Sequence, residues 1–427
     1  MQRPIRERLR TGRSKKTMVI TAIDVGTTKV TCFIARREGQ EDLRIIGIGH
    51  EVARGLKAGI VTDMTAAEES IRRAVQRAER MAEVRAREAY VSLSGGAPES
   101  RYTENAISLG GEEIDDSVIQ RAFDELAPNM RTGDRDTIHA IPIQYELDGA
   151  RGIRNPRGMT GRRLGVRLHV VSVAHGALRN LITCMRRCEF DVAAPVISGY
   201  AAGLACLVED ELDLGVTVID MGGGTTSLAV FTGGALVHAE SFPIGGWHVT
   251  NDIARGLSTP ITSAEQVKKF YASATSGPRD AQLTIEVPQL GEDTPATSMQ
   301  VSRSLLVGIV RPRLEEIFEL VRDRLDSSGF ADAAGRRVVI TGGASQVEGI
   351  RELAGQVLEK QIRLARPLPI PGLAQSTTGP EYAVGAGLLV YAGKNQANPQ
   401  PRRVRRDPRR RPETRLGRIS HWLRENF

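Results

Sequence analysis

Two stretches of this 427-residue chain nearly repeat each other: Ile23-Asp24-Val25-Gly26-Thr27-Thr28 returns 196 residues later as Ile219-Asp220-Met221-Gly222-Gly223-Gly224-Thr225-Thr226. The first lies between β-rich runs at Met18–Ile23 and Val30–Ala35, the second between Val216–Asp220 and Leu228–Phe231. Each therefore reads as a hairpin whose turn is built from Gly and Thr. Glycines let backbone amides approach a phosphate closely, and threonine hydroxyls add donors. An aspartate at the end of each buried strand can hold Mg²⁺ through water, since a hard dication prefers carboxylate and phosphate oxygens. One such hairpin is an ordinary turn. Two in one chain, with a third Gly-Gly turn at Ile340-Thr341-Gly342-Gly343-Ala344, favour phosphate binding.

Other phosphate and dyad chemistries fit less well. The spacing G-x-x-x-x-G-K-[ST] does not occur, and the turns lead into strands rather than helices, unlike a Walker loop or a dinucleotide fingerprint. An aspartic-protease dyad wants Asp followed by Thr or Ser and then Gly, whereas this chain has Asp24-Val25-Gly26 and Asp220-Met221-Gly222.

The residues resemble the actin, Hsp70 and sugar kinase superfamily. The resemblance implies an α/β, actin-like two-lobed ATPase fold that binds ATP with Mg²⁺. Its first phosphate loop is similar to Asp24–Lys29 (Asp24, Gly26, Thr27, Thr28, Lys29), its second to Asp220–Thr226 (Asp220, Gly222, Gly223, Gly224, Thr225, Thr226). Its adenosine loop resembles Val339–Gly349, bringing in Gly342, Gly343 and Gln346. The superfamily's Glu-x-x-Lys helix, which frames the adenosine, is similar to Glu265 and Lys268, and the double glycine before it to Gly245-Gly246. Two connecting helices resemble Gly199–Leu207 and Glu381–Leu389, rich in the Ala and Gly that a close crossing needs. The resemblance puts Mg²⁺ at Asp24 and Asp220 through water. Two departures matter: Ser198 stands where actin and Hsp70 have a Gln or Glu that positions the attacking water, and Ser227 where many relatives have a second Asp. Serine is too short and not basic, so no catalytic residue is assigned and hydrolysis is expected to be weak or absent.

Between about Pro98 and Val173 the texture changes to loops rich in Gly, Asn and Arg around a predicted helix at 117–126 and strands at 137–144 and 167–173. Within it, Ile141-Pro142-Ile143-Gln144-Tyr145-Glu146-Leu147-Asp148-Gly149, then Asn155-Pro156-Arg157-Gly158-Met159-Thr160-Gly161, is very similar to the FtsA family of cell-division proteins, whose members carry an inserted subdomain here. The implied organisation is a basic leader at 1–17, a first-lobe core from 18–97, 174–214 and 376–392, an inserted subdomain at 98–173, a second-lobe core from 215–243 and 330–375, an appendage at 244–329, a Pro/Arg-rich linker at 393–413 and an amphipathic helix at 414–427. Local patterns add a capping box at Thr65–Glu68 opening a helix over 66–82, and a helix over 346–359.

Charge separates body from ends. The net +7 hides a tail (401–427) at +7 and a leader (1–16) at +6, which with Lys394 leaves the rest of the chain at −7. An acidic body repels polyanions, arguing against a nucleic-acid partner. Four cysteines (32, 184, 188, 206) fit neither a disulfide framework nor a metal pair and read as core thiols. In the tail, Leu416, Ile419, Leu423 and Phe427 recur at spacings of 3, 4 and 4 beside Trp422, with Arg415, Arg418 and Arg424 on the polar side. Such a stripe serves either a helix docked on the body or, behind a Pro/Arg linker, an anchor lying in an anionic membrane surface. At about 1.5 Å per residue it is too short to span a bilayer.

The family resemblance implies a protein that self-associates into filaments on the cytoplasmic face of the inner membrane at midcell. It also implies tethering of FtsZ filaments there through the FtsZ C-terminal tail, and recruitment of FtsN and other division proteins. The appendage is the implied FtsZ site, with Arg303, Arg311 and Arg313 as cationic candidates. The rival readings are a small-molecule kinase or chaperone-type ATPase of the same fold, which needs a catalytic carboxylate, and a nucleic-acid segregation filament.

Overall fold

The echo between the two hairpins extends to whole sheets. The structure, a computed structural model, describes residues 17–38, 43–130, 133–291 and 298–397. Strands β1 (Thr17–Val25), β2 (Lys29–Glu38) and β3 (Arg44–Val52) run antiparallel in turn. A small hairpin of β4 (Leu56–Lys57) and β5 (Ile60–Val61), helix α1 (Met64–Ala82) and β6 (Glu88–Leu93) follow. The chain then makes the inserted unit, β7 (Glu99–Ser108), α2 (Asp116–Leu126), β8 (Arg135–Leu147), β9 (Ala150–Ile153) and β10 (Arg163–Ala174). It re-enters the first lobe through α3 (His175–Arg187), β11 (Asp191–Ile197) and α4 (Ser198–Cys206). The first sheet has the order β11-β6-β1-β2-β3, with β6 and β11 in the parallel half.

The second lobe repeats this plan. After α5 (Glu209–Leu214) come antiparallel β12 (Val216–Met221), β13 (Thr226–Thr232) and β14 (Ala235–Phe242). The appendage holds α6 (Gly246–Gly256), α7 (Ile261–Tyr271), the hairpin of β15 (Thr284–Val287) and β16 (Met299–Ser302), and α8 (Arg303–Ser327). Then β17 (Arg337–Thr341), α9 (Ile350–Leu358), β18 (Gln361–Leu364) and α10 (Ala383–Ala397) complete the lobe and cross back. Its sheet order is β14-β13-β12-β17-β18, with β12, β17 and β18 parallel. All six residues of β12 are buried, as expected of a central strand covered by helices on both faces.

Helices α4 and α10 cross where the lobes join and share one core with both sheets. A Cβ on Gly387 would overlap the backbone of Ala201, and one on Gly385 would come within 2.5 Å of the Phe33 ring. The Ala/Gly composition of these helices is thus a packing requirement, because side chains would hold the two backbones apart.

The inserted unit is a four-stranded sheet, β7-β10-β8-β9, with α2 on it. Its β7 lies along the outer edge of β14, in the other lobe. The Tyr102 hydroxyl donates to the Val237 carbonyl at 2.6 Å, and the Ala239 amide donates to Ser100 Oγ at 2.9 Å. His169, fully buried on β10, places Nδ1 2.9 Å from the Leu236 carbonyl and Nε2 2.9 Å from Ser100 Oγ. Burial pushes its pKa down to about 4, so the ring is neutral; Nδ1–H donates to Leu236 and Nε2 accepts from Ser100.

Three local expectations are corrected. Helix α1 is capped by Asp63, whose carboxylate accepts from the Thr65 and Ala66 amides, while Glu68 turns outward to Arg72; the nearer carboxylate displaces the Thr65–Glu68 box. The helix expected over 346–359 begins only at Ile350, because Gly349 adopts φ +73° and the residues before it form a 3-10 turn at Gly343–Gln346. The leader and linker are each shorter than expected: β1 starts at Thr17, and α10 continues to Ala397. The rest of both, and the stripe from Leu416 to Phe427, lie outside the described residues.

Candidate phosphate-binding cleft

The two Gly/Thr turns form by the same local geometry. The Gly26 amide donates to the Lys29 carbonyl at 3.1 Å, and the Gly222 amide to the Thr225 carbonyl at 2.9 Å. They meet across the space between the lobes: a Cβ on Gly224 would lie 2.6 Å from Thr27 Oγ1, and one on Gly223 would overlap Thr28. Among the described residues, the amides of Thr27, Thr28, Gly223 and Gly224 make no hydrogen bond. Four unengaged donors on two facing turns form a cradle suited to phosphate oxygens.

Behind the turns lie the two strand-end carboxylates. Asp24, partly exposed, accepts a 2.7 Å hydrogen bond from Ser92 Oγ, which in turn accepts from the Val25 amide. Asp220 is buried at 7% exposure. Burial, and then the charge of Asp24, push the Asp220 pKa up to about 7; burial also raises that of Asp24, against the Ser92 hydrogen bond and Lys29. Two carboxylates held against burial and near each other attract a cation, and together with phosphate oxygens they match the donor set that Mg²⁺ prefers. No group of three or more His, Cys, Asp or Glu side chains placed to hold a metal occurs among the described residues.

Lys29 places Nζ 3.5 Å from the centre of the Tyr382 ring, and burial lowers its pKa against the pull of Glu381 and Asp24. On the second lobe, the Gly246 and Trp247 amides donate to the Gly222 and Gly223 carbonyls at 3.0 and 2.7 Å, joining the start of α6 to the second turn. Lys268 donates to the Gly246 carbonyl at 3.0 Å and pairs with Glu265 at 2.7 Å, and Thr250 donates to Glu265 at 2.6 Å. Burial opposes the Glu265 charge, but Lys268 carries its pKa below the usual value. The third turn closes in from β17: Gly342, at φ +90°, would place a Cβ 2.5 Å from Asp220 Oδ1. Gln346 Nε2 reaches the Gly343 carbonyl and Glu381, each at 3.3 Å. The three turns and the Glu265–Lys268 pair thus lie around one cleft, with Gly245 packed on the second turn.

Ser198 and Ser227 are both buried; Ser227 lies opposite Asp220 in the β12–β13 register and pairs with Ser241 at 3.2 Å. Neither supplies a base. Sequence reasoning missed Ser92, Thr250, Tyr382 and Gly59, whose amide donates to Thr27 Oγ1 at 3.1 Å from the β4–β5 tip. All four are ordinary residues at isolated positions, and only the fold brings them to the turns.

Comparison with known proteins gives the family. The description "Cell division protein FtsA" matches residues 217–387, and "SHS2 domain inserted in FTSA" matches 95–172. The cell division protein FtsA of Agrobacterium fabrum is 40% identical over 431 residues, covering 98% of this chain and 97% of its own. The chain belongs to the FtsA family. It therefore has a role in cell division, and the FtsA insertion is the β7–β10 sheet described above. The actin-like fold is shared with an MreB 5 of Spiroplasma citri solved bound to AMPPNP (TM-score 0.55, 15% identity, 89% of this chain and 97% of that one). It is shared too with the PilM-PilN type IV pilus biogenesis complex (TM-score 0.62, 16% identity, 88% and 98%).

The three appendage arginines of this FtsA-family chain do not form a free cationic row. Arg303 bonds the Tyr271 carbonyl and pairs with buried Asp280 and with Glu348; Arg313 is held by Asp252 and Glu316. Arg311, paired along α8 with Glu315 at 2.7 Å, is the most exposed of the three. No helix among the described residues is long and apolar enough to cross a membrane.

Proposed function

We propose that this chain binds ATP with Mg²⁺ in the cleft, self-associates, and fixes FtsZ filaments to the cytoplasmic face of the inner membrane at the division site. The facing of the Thr27–Thr28 and Gly223–Gly224 turns, with Asp24 and Asp220 behind them, carries the nucleotide reading. The turn amides and Lys29 would take the phosphates, and Glu265, Lys268, Gly342, Gly343 and Gln346 would frame the adenosine. Bound Mg²⁺ would neutralise phosphate charge, held by Asp24 and Asp220 through water. Ser198 and Ser227 leave an attacking water without a positioning group. Purified protein is accordingly expected to bind ATP in a Mg²⁺-dependent way and to turn it over far below the roughly 1–100 per second of kinases. A steady-state phosphate-release assay within that range would overturn this.

The tether reading rests on the tail stripe, the Pro/Arg linker and family membership. The FtsZ tail is assigned to the appendage, where Arg311 is the most exposed of the three candidate arginines; substitution of Arg303 or Arg313 would test the fold instead. The inserted sheet is assigned to contacts with neighbouring subunits of the filament and with FtsN and other division proteins. A fluorescent FtsZ tail peptide should float with anionic vesicles only when the full chain is present. Trp422→Glu or Leu423→Glu should remove both protein and peptide from the vesicle fraction. Flotation untouched by either change would reject the anchor.

A further inference from the structure

A groove of about 520 Å³ opens where α4, α5 and the end of α10 meet the 368–370 segment, away from the phosphate turns. Its walls are apolar, with Leu212, Leu368, Ile370 and Val390, and its rim carries Glu209 on α5, Asp213, which is paired with Arg154, and Lys394 at the α10 end. Leu368 is 40% exposed. Glu209 and the adjacent Asp210 make no ion pair among the described residues, unlike Glu211, which is held by Arg363 and Arg337. Just beyond, Val208 and Leu214 add exposed apolar surface at the two ends of α5.

The groove also marks where the chain leaves the fold. Val390 and Lys394 of α10 line it, and α10 ends at Ala397. Eighteen residues then separate Ala397 from Leu416, the first member of the apolar stripe. Eighteen residues with coil dimensions span roughly 23 Å end to end, and a polyproline-like stretch of that length reaches farther. The segment that can reach the groove carries what its walls lack: an apolar stripe flanked by arginines, in a tail at +7. We infer that the groove receives the chain's own C-terminal stripe, Leu416–Phe427, when no membrane is present.

Docking in this way covers the apolar residues of the anchor in the aqueous protein. Arg415 and Arg418 then face the unpaired carboxylates of α5, and the lipid surface competes with the groove for one face of one segment. Tethering makes the contact intramolecular, so a weak groove suffices at the high effective concentration a short linker gives. Membrane binding is then lowered by the fraction of molecules with the tail docked. The inference rests on the reading of the stripe as an anchor, and the test separates the two.

The full chain has two tryptophans, so Trp247→Phe leaves Trp422 as the sole indole reporter. In that background, without lipid, Trp422 emission should be blue-shifted relative to a synthetic peptide of residues 413–427. Leu368→Asn, which alters an exposed position and no charge, should move the emission to the peptide value. It should also raise apparent affinity for phosphatidylglycerol vesicles by roughly fivefold. Glu209→Gln, a surface change that leaves packing intact, should move the emission in the same direction. Peptide-like emission in the parent, or emission unmoved by both variants, overturns the docking. A blue shift lost on dilution assigns the groove to a second copy's tail and overturns it equally. Vesicle binding that survives Leu423→Glu overturns the anchor reading instead, and leaves the lipid-free emission to judge the groove.

Discussion

Gly387→Ala should destabilise the protein more than any other single methyl group added to α10. The added carbon overlaps main-chain atoms of Ala201, which cannot swing aside as a side chain would, so α4 and α10 must separate. These two helices hold both sheets in one core, and their separation loosens both lobes. Overpacking of this kind costs about 3 kcal/mol, equivalent to a fall of about 10 °C in melting temperature for a lobe of this size. Gly393→Ala supplies the control: it lies on the same helix with no atom within 4 Å of the added carbon, and removing a helical glycine there should gain up to about 1 kcal/mol. Circular dichroism melts of the two variants should therefore move in opposite directions. Equal melting temperatures would show that the crossing is not tight.

Asp220→Asn should stabilise the nucleotide-free protein while weakening Mg²⁺-ATP. The folded pKa, raised from 3.8 to about 7, means that the native state keeps a proton the unfolded chain has lost between those values. Stability from this site is therefore greatest below about pH 4, falls as pH rises through the window, and levels off above pH 7. A shift of this size corresponds to at most about 4 kcal/mol at pH 8, less the cost of burying the amide, so a net gain of roughly 2 kcal/mol is expected. The gain should shrink on going from pH 8 to pH 5.5, where the wild-type carboxyl is largely protonated. On the proposed Mg²⁺ site, the same change removes a carboxylate that would hold the cation through water, which should lower Mg²⁺-dependent ATP affinity about tenfold or more. Melts at the two pH values with ATP titrations would show both effects; a variant less stable than wild type at pH 8 would refute the strained-carboxylate account.

The two facing Gly/Thr turns were legible because close packing and tight reversal restrict residue type locally, leaving glycine and threonine after an aspartate at the strand end. The α4–α10 crossing was legible for a related reason, since tight backbone contact leaves only Gly and Ala. What escaped was whatever depends on distant partners. Strand β7, reading Glu-Ser-Arg-Tyr-Thr-Glu-Asn, is polar on both faces because its packing partners are the inserted sheet and the edge of β14. Gly233-Gly234, both at positive φ, form the hairpin that leads into β14. The arginines of α8 looked available because sequence shows charge but not the buried Asp280 or the Asp252 that hold them.

The contact between β7 and β14 gives the molecule an unusual linkage. The insertion leaves the first lobe after β6 and returns to it at α3, yet its hydrogen bonds reach the second lobe. The lobes are therefore joined at the helix crossing and again through this strut, and two attachments at separate points remove most of the freedom one hinge would allow.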